Sequence, residues 1–149
     1  MAFNILIADD SGTMRQVIKK VIGMSGVPVQ EFHEAENGEK ALKVLEESWI
    51  DVILSDINMP EMDGMEFLRR VKANDVYKNI PVIFVTTEAS EARMAEAREL
   101  GAAGYIKKPF LPEVIKDIIN EVLGKAYDFN ATGGAAGQPG PETDEDMDF

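Results

Sequence analysis

The chain has 149 residues, a formal net charge of −12 and no cysteine. That length suits one domain with a proper core, and the missing cysteines exclude disulfides and thiolate metal sites. The acidic balance argues against a nucleic-acid-binding surface, and no apolar run reaches the roughly 18 residues that a membrane-spanning helix needs.

Five strand-like runs alternate with helical patterns. The first, Phe3-Asn4-Ile5-Leu6-Ile7-Ala8, ends in Asp9-Asp10. Behind it Met14, Val17, Ile18, Val21 and Ile22 recur at the 3.6-residue spacing of an amphipathic helix, with Gly26 where that helix should stop. The second run, near Val29 to Ala35, is largely polar and contains the chain's only histidine, His33, read as a solvated surface residue. Trp49 precedes the third run and is expected to pack a loop. That run, Val52-Ile53-Leu54-Ser55, ends in Asp56, and Asp63 with Glu66 then forms a capping-box arrangement. Met59, Met62 and Met65 are expected to pack loop and helix.

The fourth run, Val82-Ile83-Phe84-Val85, ends in Thr86. Ser90 can cap the helix that follows, where Ala92, Met94, Ala95, Ala97 and Leu100 offer little bulky apolar surface and predict shallow burial. Gly101 closes that helix, and the short run Gly104–Lys107 leads into Lys108-Pro109. Pro112 suits the first turn of a last helix, whose apolar face is Val114, Ile115, Ile118, Ile119, Val122 and Leu123 and whose expected stop is Gly124.

A repeating strand–helix pattern implies a parallel sheet covered by helices on both faces. Runs one, three and four are nearly continuous apolar, as buried central strands are, whereas runs two and five look like edges. The expected fold is therefore an α/β, flavodoxin-like (βα)5 single domain, a doubly wound parallel five-stranded sheet of order 2-1-3-4-5. The domain is expected over residues 1–127. Residues 128–149 hold six acids and no base, are rich in Gly, Ala, Pro and Thr, and predict a disordered acidic tail. Its end, Asp144-Glu145-Asp146-Met147-Asp148-Phe149, admits two readings: a solubilising extension, or a segment whose Met147 and Phe149 visit the domain's own surface.

Ligands in open parallel sheets bind beyond the carboxyl ends of the strands, and in this order the chain reverses between strands one and three. Asp9, Asp10 and Asp56 fall there. Clustered carboxylates repel one another, and hard oxygen ligands without His or Cys point to Mg²⁺ or Mn²⁺. An adjacent acid pair alone reads best as a helix cap. Asp56 on the neighbouring strand and Lys108 on a third turn the balance toward a site that holds a cation and a phosphoryl group. Thr86, which alone would be a strand former, joins them through its position.

Asp9-Asp10, Asp56 followed by Ile57-Asn58-Met59-Pro60 and Asp63-Gly64, Thr86, and Lys108-Pro109-Phe110 resemble the signature of bacterial response-regulator receiver domains. The resemblance spans about residues 3–126. Ser11-Gly12-Thr13-Met14-Arg15, Asn58, Glu88 and Gly104-Tyr105 are similar to the CheY-like, single-domain chemotaxis branch. Ile57 departs from relatives with Trp beside the acceptor acid, and the tail lies outside the family pattern. The resemblance implies Asp56 as phosphoacceptor, Asp10, Asp56 and the Asn58 backbone carbonyl as Mg²⁺ ligands, and Asp9 acting through water. It also implies Lys108 on the phosphoryl oxygens, Thr86 and Tyr105 as the switch, and Asn58 and Glu88 as tuners of lifetime.

Implied partners are a CheA-like histidine kinase, a flagellar motor switch protein or other target, and an auxiliary phosphatase, with no nucleic acid and no membrane. The protein is expected to be a cytoplasmic monomer that catalyses only its own phosphoryl transfer and dephosphorylation. The other readings are a single-receiver phosphate sink or adaptor, a haloacid-dehalogenase-like phosphatase and a flavodoxin-like electron carrier. The phosphatase needs an acid two residues after its nucleophile, where this chain has Asn58. The electron carrier needs a Ser- or Thr-rich phosphate loop after the first strand, and none is evident.

Overall fold

The structure, a computed structural model, describes residues 2–88 and 90–127. The sequence-predicted tail lies outside the described residues. The elements run β1 (Phe3–Ala8), α1 (Gly12–Ser25), β2 (Val29–Ala35), α2 (Gly38–Glu47), β3 (Val52–Ser55), α3 (Gly64–Ala73), β4 (Val82–Thr86), α4 (Glu91–Glu99), β5 (Gly104–Lys107) and α5 (Pro112–Tyr127). All strand pairs are parallel and the order is β2-β1-β3-β4-β5, as the apolar content of the runs implies. Each residue of β1, β3 and β4 apart from Asn4 is buried, while β2 is mostly half-buried or exposed.

Alternation along the strands splits the core in two. Ile5, Ile7, Val52, Leu54, Ile83 and Val85 face Ile18 and Ile22 of α1 and Ile115 and Ile119 of α5. Leu6, Ile53 and Phe84 face Ala41 and Leu45 of α2 and Met65, Phe67 and Leu68 of α3. Met59, Met62 and Met65 are buried in this second layer, as expected. Each large side chain buried this way contributes about 1.5–3 kcal/mol. α4 buries only Ala97.

Side chains at the helix starts meet the unpaired N–H groups there. Asp63 and Ser90 cap α3 and α4 as the sequence indicates, Asn37 caps α2, and Ser11, not the preceding acid pair, caps α1. Gly26 and Gly101 take positive φ, 88° and 101°, just past their helices. Four expectations are corrected. Gly124 does not stop α5, which continues to Tyr127, because Gly124 is itself buried within the packed helix. Val17 and Val114 lie on the solvent side of their helices. Trp49 packs no loop; it is 74% exposed, its indole N–H donating to Asp51 Oδ1 at 3.0 Å. His33 is half-buried, with Nε2 3.0 Å from Glu31 Oε1.

Candidate functional site

The sheet ladder continues one residue beyond the strands and thereby sets the site. Asp9 N donates to Ala35 O (3.0 Å), Asp56 N to Ala8 O (2.8 Å) and Lys108 N to Thr86 O (2.8 Å). Since Ala8 pairs with Ser55 and Thr86 with Lys107, the residues that follow these strands project from one end of the sheet. The β3–α3 loop is folded back tightly there. Gly64 N donates to Ile57 O at 2.7 Å, and a Cβ on Gly64 would lie 2.2 Å from the Asp56 carbonyl oxygen. Only glycine permits that approach.

Carboxylate oxygens of Asp9, Asp10 and Asp56 lie within 4.8 Å of one another. Lys108 Nζ donates to Asp9 Oδ2 at 2.8 Å and to Asp56 Oδ2 at 3.4 Å. Asp9 is buried and both its carboxylate oxygens are engaged, Oδ1 by Ser11 N–H at 2.9 Å. Asp56 Oδ1 accepts from Ile57 N–H at 2.7 Å. Asp10 is exposed, and among the described residues no donor reaches its carboxylate. Three carboxylates against one ammonium leave two negative charges uncompensated. Two like charges about 4 Å apart repel by about 4 kcal/mol at an effective dielectric near 20. An all-oxygen set with an open carboxylate beside Asp56 fits Mg²⁺ or Mn²⁺. The Lys108-Pro109 peptide is cis.

Thr86 is fully buried at the end of β4, and its Oγ1 accepts the Glu88 N–H at 3.2 Å. Tyr105, half-buried on β5, packs edge-on against Phe84 with ring centroids 6.2 Å apart and donates its hydroxyl to Glu88 O. Both switch candidates thus hold the main chain of one residue. Burial, then the charge of Glu88, pushes the Tyr105 phenol above its ordinary value of 10.0. Asn58 and Glu88 meet at the mouth, Nδ2 to Oε1 at 3.5 Å, with Asn58 exposed.

Sequence reading gave no site role to Ser11, Arg15 or Glu34. Arg15 Nη1 donates to the Asp9 carbonyl at 2.6 Å, and its Nε to Glu34 Oε1 at 2.7 Å. That hydrogen bond is the chief reason the Glu34 carboxyl lies below its ordinary value of 4.5. A helix-borne Arg near an acid on a strand 19 residues away carries no local signature.

Known proteins resemble this chain over most of its length. The profile of the response regulator receiver domain matches residues 5–120. A chemotaxis protein CheY homolog of Campylobacter jejuni is 40% identical over 121 residues, covering 80% of this chain and 92% of that one. The chemotaxis protein CheY of Pseudomonas aeruginosa is 39% identical over 119 residues, covering 80% and 94%. Among solved structures, the chemotaxis response regulator CheY4 of Vibrio cholerae superposes with a TM-score of 0.72 at 34% identity, covering 82% of this chain and 99% of that one.

Proposed function

The chain belongs to the family of response-regulator receiver domains, and we propose that it is a phosphorylation-operated binding module of the chemotaxis type. The observation that carries this reading is Lys108 Nζ bridging Asp9 and Asp56 beside an open Asp10 carboxylate. Asp56, half-buried just past the end of β3, is the acceptor: its carboxylate oxygen attacks the phosphorus of a phosphohistidine on a CheA-like kinase, and the P–N bond breaks. Lys108 follows the transferred oxygens, its positive charge offsetting the charge that develops on them. Asp10, Asp56 and the Asn58 carbonyl would hold Mg²⁺ directly. Asp9, whose oxygens are already engaged, would act through water. When bound, the ion offsets phosphoryl charge and aligns acceptor with donor.

Thr86 and Tyr105 carry the change outward. The Thr86 hydroxyl accepts from Glu88 and still has a proton to give, so it can donate to a phosphoryl oxygen. Such a shift moves Glu88, to which Tyr105 is bonded, and alters the face formed by α4, β5 and α5. That face would bind a flagellar motor switch protein or another target. Asn58 and Glu88 flank the water's approach and would set the lifetime, with an auxiliary phosphatase shortening it. Residues 1–127 would be the receiver and 128–149 an accessory acidic tail of a cytoplasmic monomer.

The test is phosphorylation by a small acyl phosphate with borohydride trapping and mass spectrometry. Label should fall on Asp56 and vanish in Asp56→Asn and on chelation of Mg²⁺. Label that survives either change refutes the assignment.

A further inference from the structure

The Arg15 guanidinium sits outside the phosphoryl chemistry, yet it is built into the site. It reaches the Asp9 carbonyl with Nη1 while Glu34 fixes its Nε, and Glu34 is itself gripped by Lys19 Nζ at 3.0 Å and Gln16 Nε2 at 3.4 Å. The Arg15 and Glu34 side chains are only 20% and 29% exposed. The fork therefore ties α1 and edge strand β2 to the loop bearing the acids. The Asp9 carbonyl belongs to the peptide unit that joins Asp9 to Asp10, and that unit is planar. Pinning its oxygen sets the direction in which the Asp10 backbone leaves. The Asp10 carboxylate has no donor of its own among the described residues, so that plane fixes where its side chain starts.

We propose that Arg15, braced by Glu34, is a positioning residue that aims the Asp10 carboxylate into the divalent-cation site, an inference that rests on the cation-binding reading above. Simple electrostatics runs the other way, because a guanidinium beside the acids opposes a cation. Glu34, shared with Lys19, offsets part of that charge, so the brace keeps its geometry at a reduced repulsion. A planar guanidinium serves two acceptors at fixed angles, which an ammonium on a flexible stem does not.

The sign of the Mg²⁺ response distinguishes the two roles. Calorimetric Mg²⁺ titration of the full chain should show Arg15→Ala binding more weakly by roughly 10–100-fold, the usual cost of losing a group that orients a metal ligand, although a positive charge has been removed. Arg15→Lys should fail to restore affinity, and Glu34→Gln should weaken it. Nitrogen relaxation should show the Asp10 amide more mobile in Arg15→Ala, with thermal melts confirming the fold. Unchanged or tighter Mg²⁺ binding by folded Arg15→Ala overturns the proposal. Should Arg15→Ala not fold, Arg15→Lys, which keeps the charge and loses the fork, decides, and wild-type affinity there overturns it equally. Absence of Mg²⁺ binding by the wild type overturns the cation reading and this inference together, whereas a binding wild type with an indifferent Arg15→Ala overturns this inference alone.

Discussion

Replacing Gly64 by alanine sets helix propensity against the geometry of the Asp56 loop. Its new Cβ would lie 2.2 Å from Asp56 O, 2.8 Å from Ile57 Cα and 3.0 Å from Phe84 Cε1. The first two obstacles are backbone and have no rotamer to escape into. The Asp56–Ile57 chain must retreat until the first contact opens from 2.2 Å to at least 3.0 Å. Overpacking of this kind costs about 1–3 kcal/mol, offset by the roughly 0.5–1 kcal/mol that Gly→Ala returns in a helix. A net loss near 1–2 kcal/mol should lower the melting temperature by about 3–10 °C. The chemistry should suffer more than the stability, since a misplacement of about 1 Å at a reacting group costs on the order of 10²-fold. Calorimetric melts and the rate of Mg²⁺-dependent phosphorylation from a small acyl phosphate measure the two effects. Gly23→Ala is the control: nothing lies within 4 Å of its Cβ, so in α1 it should stabilise. A Gly64→Ala protein that melts and phosphorylates like wild type would refute the reasoning.

Thr86→Ala should still be labelled on Asp56, yet phosphorylation should no longer shift the amide resonances of α4 and β5; undiminished shifts would take Thr86 out of the relay. The Tyr105 phenol is raised above 10.0, so the fold favours its neutral form. Its contribution is complete below that pH and lost as pH rises through the folded value. Titration of phenolate absorbance should show one of the three tyrosines ionising late, and Tyr105→Phe should remove that step. Glu34 is depressed below 4.5 by Arg15, so its contribution is present above that pH and disappears as pH falls through the lower folded value. The difference in urea stability between wild type and Glu34→Gln should therefore shrink on acidification, and a pH-independent difference would count against the Arg15–Glu34 bond.

Strand order was legible because burial on both faces demands near-continuous apolar residues, which runs one, three and four have and run two lacks. Site position followed from topology, since acids ending β1 and β3 have to meet where those strands are neighbours. Helix ends were half legible. Asp63 and Ser90 declare themselves, but Asp9, Asp10 and Ser11 are three adjacent candidates for one cap, and only the backbone shows Ser11 Oγ accepting Met14 N–H at 3.1 Å. The Gly124 stop failed because a glycine ends a helix only where packing also ends. Trp49 illustrates the reverse error, a large apolar side chain expected to pack a loop when its indole N–H donates to the half-buried Asp51 carboxylate and its ring stays exposed. Arg15 and Glu34 were illegible for another reason: a bond between helix and edge strand leaves no period in either.

The anchorage of α4 explains how a change at one buried hydroxyl can reach the surface. α3 buries Met65, Phe67, Leu68 and Val71, whereas α4 buries Ala97 alone. Leu100 at its C-cap packs half-buried against the core, and one exposed ion pair crosses to α3, Glu96 to Arg69 at 3.4 Å, while Arg93 and Glu96 pair within α4 itself. Exposed pairs are worth about 0.2–1 kcal/mol each, less than one buried leucine. The loop entering α4 is gripped at Glu88, whose N–H is held by Thr86 and whose carbonyl is held by Tyr105. On the proposed function, a phosphoryl oxygen that draws on Thr86 would act through hydrogen bonds and rigid peptide units on this weakly anchored helix. A ligand shifts such an equilibrium only by its differential interaction with the two states. Weak anchorage keeps that demand small, within the reach of a few hydrogen bonds at Asp56.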